Sequence, residues 1–247
     1  MNSFQNNTLT IKEVSKSFDG QKIIDDINIS LGNGQIVSLL GKSGVGKTTL
    51  FNIIAGVSNP DKGYVYLKDK DITNAPGNIS YMLQKDLLIE QKKVIDNIIL
   101  PLLINKMSRP QAVEKAKQYI EMFGLKGYED SYPKDLSGGM RQRAAFLRTY
   151  MASNNVLLLD EPFSALDAIT KNDFYKWYQK VSADLCLSTL FITHNIDEAL
   201  ILSDKIYIMQ GKPGKIVKKF VLDKNEEEDF SLSNKFLQVK KEILEIL

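Results

Sequence analysis

A single cysteine, Cys186, leaves the chain without a partner thiol, which excludes an internal disulfide and any multi-cysteine metal site. Cys186 sits in an apolar stretch and reads as a buried, inert thiol. Long hydrophobic runs are missing too: the longest, Ile98 to Ile104, has seven residues and contains Pro101. A membrane span needs about 20 such residues, so the chain is expected not to cross a bilayer itself. Nor does charge of one sign dominate. Lys plus Arg number 32 against 30 Asp plus Glu, evenly mixed, and a formal charge of +2 argues against nucleic acid as the main partner. The opening Met1 to Thr8 is polar, with neither the basic start nor the apolar core of a secretory signal, so a cytoplasmic location is expected. There is no internal repeat and no low-complexity linker.

What is present is the composition of a soluble globular protein: 247 residues, 43% hydrophobic and 25% charged. That is enough for one domain, taken as 1–247, with room for a subdomain. Ile27, Ile29 and Leu31 alternate with Asp26, Asn28 and Ser30, and Asp19-Gly20 supplies a turn before them, so the start is antiparallel β. Ile36 to Leu40 is a short apolar strand. A helix with Leu50, Ile53, Ile54 and Val57 on one face follows it. Further short strands are expected from Tyr64 to Leu83, and helical spacing from Val94 onward. There Ser108 and Gln111 have capping-box spacing, and Val113, Ala116, Ile120 and Phe123 share a face ending at Gly124. A helix is predicted from Ser137 to about Ala152. Val156 to Leu159, Leu190 to Thr193 and Ile206 to Met209 read as buried strands, separated by helices from about Ile169 and over Asn195 to Leu202. Strands alternating with helices make the core α/β. Glu226 to Asp229 read as a solvated loop before a last helix, Asn234 to Leu247. Lys171-Asn172-Asp173 read as an exposed helix start, and Phe174, Tyr175, Trp177 and Tyr178 as helix packing.

The chemistry concentrates in a few stretches. Gly41-Lys42-Ser43-Gly44-Val45-Gly46-Lys47-Thr48 is a phosphate-binding loop, G-x-x-x-x-G-K-T, between a strand and a helix. Its glycines let backbone N–H groups surround phosphate oxygens, and the helix start adds the positive end of its dipole. Lys47 is expected to reach the β and γ phosphates, Thr48 to coordinate Mg²⁺, and Thr49 to add a phosphate contact. Leu157-Leu158-Leu159-Asp160-Glu161 puts two carboxylates at the C-terminal end of a buried strand, where ligands collect in open α/β sheets. Asp160 is the natural Mg²⁺ partner, and Glu161 the general base or water-positioning group. His194, the only histidine, ends another such strand and is suited to hold the γ-phosphate and the attacking water. A lone histidine is more often a packing residue, and its place at a strand end decides against that here. Gln84 ends the short apolar segment Ser80 to Leu83, and its amide can ligate a metal or a water. Phe18 offers a face for adenine, or equally a core residue. Ser137-Gly138-Gly139 is a second anion-attracting helix start, which a simple phosphate-loop kinase leaves without purpose.

In order along the chain, the phosphate loop, Gln84, Leu136 to Arg143, Asp160-Glu161, Ser164-Ala165-Leu166-Asp167 and His194 resemble the ATP-binding-cassette superfamily. The resemblance covers about Leu9 to Val217. It implies a P-loop NTPase core with an antiparallel β subdomain, a helical subdomain at about 88–153 and a helical tail at about 223–247. It also implies ATP and Mg²⁺ as cofactors, with Thr48, Gln84 and Asp160 at the metal, and Phe18 as the adenine-stacking aromatic. Leu136 to Met140 then corresponds to the signature motif, Ser164 to Asp167 to the D-loop, and His194 to the switch histidine. Ser137, Gly138, Gly139 and Asp167 would meet the nucleotide of a second copy of the chain, so that two copies enclose two ATP molecules.

Gly139 to Arg143, Thr193 to Leu200 and Gly211 to Ile216 look like the importer ATPases of the nitrate, sulfonate and taurine type, a group with members that serve thiamine-precursor pyrimidines. Such proteins sit on the cytoplasmic face of the membrane, bound to permease subunits and served by an extracytoplasmic solute-binding protein. One departure stands out. Members often carry Pro-Trp soon after the glutamine, whereas here Leu87-Leu88 is followed by Ile89-Glu90-Gln91, in the segment where such ATPases meet the membrane subunit. The alternative is a soluble cassette ATPase of DNA repair or translation. Those usually carry a long coiled-coil insertion or two cassettes, and neither fits within 247 residues.

Overall fold

The computed structural model describes residues 7–152, 156–164, 166–223 and 230–247. Met1 to Asn6, Ala165 and the Glu226 to Asp229 loop expected above lie outside the described residues.

Two sheets share one helix. In the first, β1 (Asn7–Phe18) and β2 (Gln21–Gly32) form an antiparallel hairpin across Asp19-Gly20, whose φ angles of 49° and 78° are the left-handed pair that a two-residue turn needs. β4 (Lys62–Leu67) pairs with β1 and β5 (Lys70–Asp71) with β4, giving the order β2-β1-β4-β5. The second sheet contains β3 (Ile36–Leu40), β6 (Ser80–Met82), β7 (Val156–Asp160), β8 (Ser188–Thr193), β9 (Lys205–Gln210) and β10 (Lys215–Val221), in the order β10-β9-β3-β8-β7-β6. All of these pair in parallel except β10, which is antiparallel to β9.

The continuous apolar runs of the parallel strands have a direct cause: both faces of the sheet are covered. Along β7, Val156 and Leu158 enter the core shared with α1 (Lys47–Ile54) and the antiparallel sheet, while Leu157 and Leu159 enter the opposite core. Leu190 and Ile192 of β8 likewise face the first core and Phe191 the second. The second core is built from α2 (Val94–Ile104), α3 (Arg109–Ile120), α4 (Gly138–Met151) and α5 (Ala168–Asp184). Phe163 is its aromatic centre, edge-on to Tyr175 at 5.2 Å and to Phe174 at 5.7 Å. The expected packing role of the α5 aromatics is met. A third core joins β9 and β10 to α6 (Ile196–Leu202) and α7 (Asn234–Ile246).

Three local expectations are corrected. The helix after the phosphate loop ends at Ile54, because Gly56 turns the chain at φ 73°, so Val57 lies beyond it and is 70% exposed. Ser108 is the N-cap residue of α3 but makes no capping bond; its hydroxyl donates to Gln111 Oε1 at 2.7 Å. Cys186 is exposed, not buried, because the turn after α5 takes it through φ 48° and gives the inward place to Leu187. Lys171-Asn172-Asp173 lie at the start of α5 as expected, Asn172 and Asp173 exposed and Lys171 partly so, its ammonium donating to Glu198 Oε1 at 2.8 Å.

Candidate nucleotide site

The phosphate loop runs from the end of β3 to the start of α1. Its glycines are required by space as well as by dihedral angle. A Cβ on Gly41 would stand 2.4 Å from the Met209 carbonyl, and one on Gly46, at φ 105°, would stand 2.5 Å from Ile24 Cγ2. Gly46 caps α1 without a side-chain bond, so the helix start keeps its donors for a ligand. Lys47 is buried, and its Nζ donates to the carbonyls of Gly41 at 2.6 Å and Lys42 at 2.9 Å. Burial pulls its pKa below the ordinary lysine value, while Glu161 and Asp160 oppose the shift.

A cavity of about 240 Å³ opens here, between Ser43, Gly44, Gly46, Lys47, Thr48 and Thr49 on one side and Asp160 and Glu161 on the other, with Ile192 beneath. Lys42 and Val45 face a neighbouring cavity of about 380 Å³ that they share with Met209 to Lys212 and Leu247; Ser43 and Gly44 border both.

Asp160 ends β7. Its Oδ2 accepts from Thr48 Oγ1 at 3.3 Å and from Tyr81 Oη at 3.2 Å. Burial raises the Asp160 carboxyl above its usual range against the opposing pull of those two bonds, and the neighbouring Glu161 charge adds to the rise. A hydroxyl and a carboxylate meeting beside a phosphate loop are the hard oxygen donors that Mg²⁺ takes, so the residues fit that ion.

Glu161 adopts φ 44°, a left-handed conformation uncommon for a non-glycine residue. It is held there on every side. Its N–H donates to Ile192 O at 3.0 Å, and its carbonyl accepts from the Ser164 N–H at 3.1 Å and from Ser164 Oγ at 2.9 Å. Its carboxylate meets His194 Nδ1 at 3.0 Å through Oε1 and the Gln84 amide at 3.3 Å through Oε2. Glu161, His194 and Gln84, which are far apart in sequence, thus form one cluster at neighbouring strand ends.

Other candidates stand apart from this cavity. Phe18 ends β1, 49% exposed, with Lys16 Nζ 5.3 Å from its ring centre. Ser137 caps α4, accepting from the Met140 N–H at 3.3 Å, and a Cβ on Gly138 would meet nothing within 4 Å. Gly139 approaches Thr170 of α5. None of Ser137, Gly138 and Gly139 lines the phosphate-loop cavity. The Asp167 carboxylate accepts from the Thr170 N–H and hydroxyl at 3.1 and 2.6 Å, at the start of α5.

Sequence reasoning missed the residues that join these parts. Tyr81 binds Asp160, and the buried Gln142 of α4 donates to the Pro162 carbonyl, next to Glu161. Arg141 makes a two-pronged pair with Asp86, at 3.0 and 3.2 Å, and reaches Glu90 at 2.7 Å. Arg148 donates to the carbonyls of Asp86 and Leu87. Burial pushes the Asp86 carboxyl up, but Arg141 and the Leu88 N–H hold it below its usual value. The one signal for these pairs in the sequence is the arginine spacing of α4, which places Arg141 and Arg148 on one helix face.

The ABC transporter family pattern matches residues 24–164. The chain is 40% identical over 206 residues to the formylaminopyrimidine import ATP-binding protein ThiZ of Halalkalibacterium halodurans, covering 83% of this chain and 80% of that protein. It is 37% identical over 242 residues to the aliphatic sulfonates import ATP-binding protein SsuB of Bacillus cereus, covering 96% and 95%. Its fold matches the dimeric post-hydrolysis cassette MJ0796 bound to ADP and phosphate with a TM-score of 0.74, at 26% identity, over 87% of this chain and 99% of that one. The family match, the identities over most of both chains and the fold agree: the chain belongs to the ABC transporter family, as its ATPase cassette.

Proposed function

We propose that the chain is the ATP-hydrolysing subunit of a bacterial importer for a small solute of the sulfonate, nitrate, taurine or thiamine-precursor kind. It works as a homodimer on the cytoplasmic face of separate permease subunits, which an extracytoplasmic solute-binding protein supplies. The observation that carries this reading is Glu161, held by His194 and Gln84 at the mouth of the phosphate-loop cavity. The import relatives sharing 37–40% identity support the transport role. The ADP- and phosphate-bound dimer supports pairing. Among the described residues no helix is long and apolar enough to cross a membrane, which is consistent with separate membrane subunits.

The residues divide the work by position. Gly41 to Thr49 surround the phosphates, and Lys47 balances their charge. Thr48, Asp160 and the side-chain oxygen of Gln84 would hold Mg²⁺, which when bound draws negative charge from the phosphates. Glu161 takes the proton of the attacking water or orients it, an effect typically worth about 10² to 10⁴ in rate. His194 keeps that carboxylate aimed and presents its Nε2 to the γ-phosphate. Phe18 stacks on adenine. Ser137, Gly138, Gly139 and Asp167 act on the nucleotide of the second copy, because they lie outside this copy's own cavity. The region 88–153 moves as the helical subdomain, and the Gln84 to Gln91 segment conveys the nucleotide state to the membrane partner.

The test is purification of the tagged full chain from membranes. Recovery of permease subunits, with ATP turnover raised by a solute-loaded binding protein, is the expected result. A chain recovered on DNA or ribosomes with no membrane partner would establish the other reading.

A further inference from the structure

Glu198 lies in α6, just past His194, with 5% of its side chain exposed. Its Oε1 accepts from Lys171 Nζ at 2.8 Å and its Oε2 from Thr193 Oγ1 at 2.6 Å. Thr193 Oγ1 in turn accepts from the Asn195 N–H at 2.9 Å, and Asn195 Oδ1 accepts from the Glu198 N–H at 3.1 Å. The residues on either side of His194 are therefore both tied to Glu198. On the other side of the carboxylate, Lys171 sits in the first turn of α5, and its N–H donates to the Asp167 carbonyl at 3.0 Å. A run of bonds leads from the Asp167 turn through Lys171, Glu198 and Thr193 to the Asn195 N–H, on both flanks of His194, and the His194 ring in turn meets Glu161.

Stability alone is a poor reason for this arrangement. A buried ion pair is often matched or bettered by apolar residues of the same volume, whereas its directional bonds fix geometry. We propose that Glu198 is a positioning residue, which sets His194 against Glu161 and carries the state of the Asp167 turn to it through Lys171. This rests on the reading of Glu161 and His194 as hydrolytic machinery. It adds a route by which a neighbouring copy, touching Asp167, alters the other site.

His194 is the only histidine, so its ring signals in NMR of the isotope-labelled full chain report on this residue alone. Glu198→Gln keeps the size and an acceptor for Thr193 but removes the charge that Lys171 meets. The expected result is a kcat lowered about tenfold with the KM for ATP within about twofold, together with shifted His194 ring signals. Asp167→Asn should move those signals in the otherwise unaltered chain and fail to do so alongside Glu198→Gln. Lys171→Met should reproduce the loss and Lys171→Arg should retain function, which keeps the test decisive if Glu198→Gln does not fold. A lowered melting temperature with kcat and the His194 signals unmoved would overturn the proposal. So would a response to Asp167→Asn that survives Lys171→Met. If His194→Ala leaves turnover intact, the hydrolytic reading of His194 falls and takes this inference with it. If His194→Ala slows turnover but neither Glu198→Gln nor Lys171→Met does, the inference alone falls.

Discussion

His194 Nδ1 stands 3.0 Å from Glu161 Oε1, although the two residues follow different strands, β8 and β7. The bond is possible because β7 and β8 are adjacent and parallel, so that both chains leave the sheet at the same edge. The N–H of Glu161 adds one more bond to Ile192 before the chain turns. A residue at φ 44° held by this many partners is aimed before any ligand arrives, which is the arrangement that electrostatic catalysis requires.

Glu161→Gln removes the carboxylate that the proposed function makes the proton acceptor, and keeps the shape. ATP affinity should persist, and an ATP-bound dimer should accumulate on size-exclusion chromatography. Phosphate release should slow by about 10²-fold or more. Turnover at the original rate would take Glu161 out of the reaction.

Ser137→Arg places a bulky cation at an exposed helix start that the phosphate-loop cavity does not include. Each chain should still bind one nucleotide, measured by equilibrium dialysis, while turnover is lost. Failure to bind that nucleotide would show that Ser137 serves its own copy's site.

The raised pKa of Asp160 has a consequence for stability. The folded protein takes up a proton at higher pH than the unfolded chain, so stability falls as pH climbs from the ordinary carboxylate range through the raised value. Asp160→Asn removes that penalty. Melting curves without nucleotide should show a higher midpoint for the variant at neutral pH, a gain that disappears in acid, where both forms are neutral. A lower midpoint at neutral pH would mean that the Thr48 and Tyr81 bonds outweigh burial.

Arg148 supplies donors to two consecutive carbonyls, those of Asp86 and Leu87. Arg148→Met keeps most of the volume and strips those donors, which should cost about 1–3 kcal/mol in urea unfolding. Because Leu87 holds φ 45° beside them, the Gln84 segment should loosen as well and turnover should drop. Full stability in the variant would show that water replaces the guanidinium.

Glu90 lies in the Ile89-Glu90-Gln91 segment that the proposed function sets against the membrane partner, and it pairs with Arg141 at 2.7 Å while 49% exposed. Such exposed pairs contribute about 0–1 kcal/mol, so Glu90→Ala should leave the melting temperature and the turnover of the isolated chain nearly unchanged. Co-purification with the membrane subunits should weaken. An undiminished complex would move the docking surface elsewhere.

Features that depend on neighbours in sequence were legible there. The phosphate loop was legible in its own glycine pattern, with Gly44 and Gly46 at φ 79° and 105°, and β7 in its unbroken apolar run. Ser137 as a helix cap needed nothing beyond its own next turn. Cys186 and Val57 were not legible in this way. Both are apolar residues in apolar surroundings, and both were turned outward by a left-handed residue at or just before them. The grip of α4 on the Gln84 segment through Arg141 and Arg148 was equally hidden, because long cations at helix spacing look the same whether they meet water or a carbonyl.

The sequence by itself determined which chemical groups this protein owns and the short backbone settings that expose them, since a glycine loop, an apolar strand and a helix cap are local consequences of sterics and hydrogen bonding. Only the tertiary structure decided which of those groups meet. The strand order β3-β8-β7-β6 differs from their order along the chain, and it is this reordering that brings Gln84, Glu161 and His194 to one edge beside Lys47. The reason is energetic. Burial of both sheet faces selects the strand order for the whole core at once, and no segment of the chain carries that information alone.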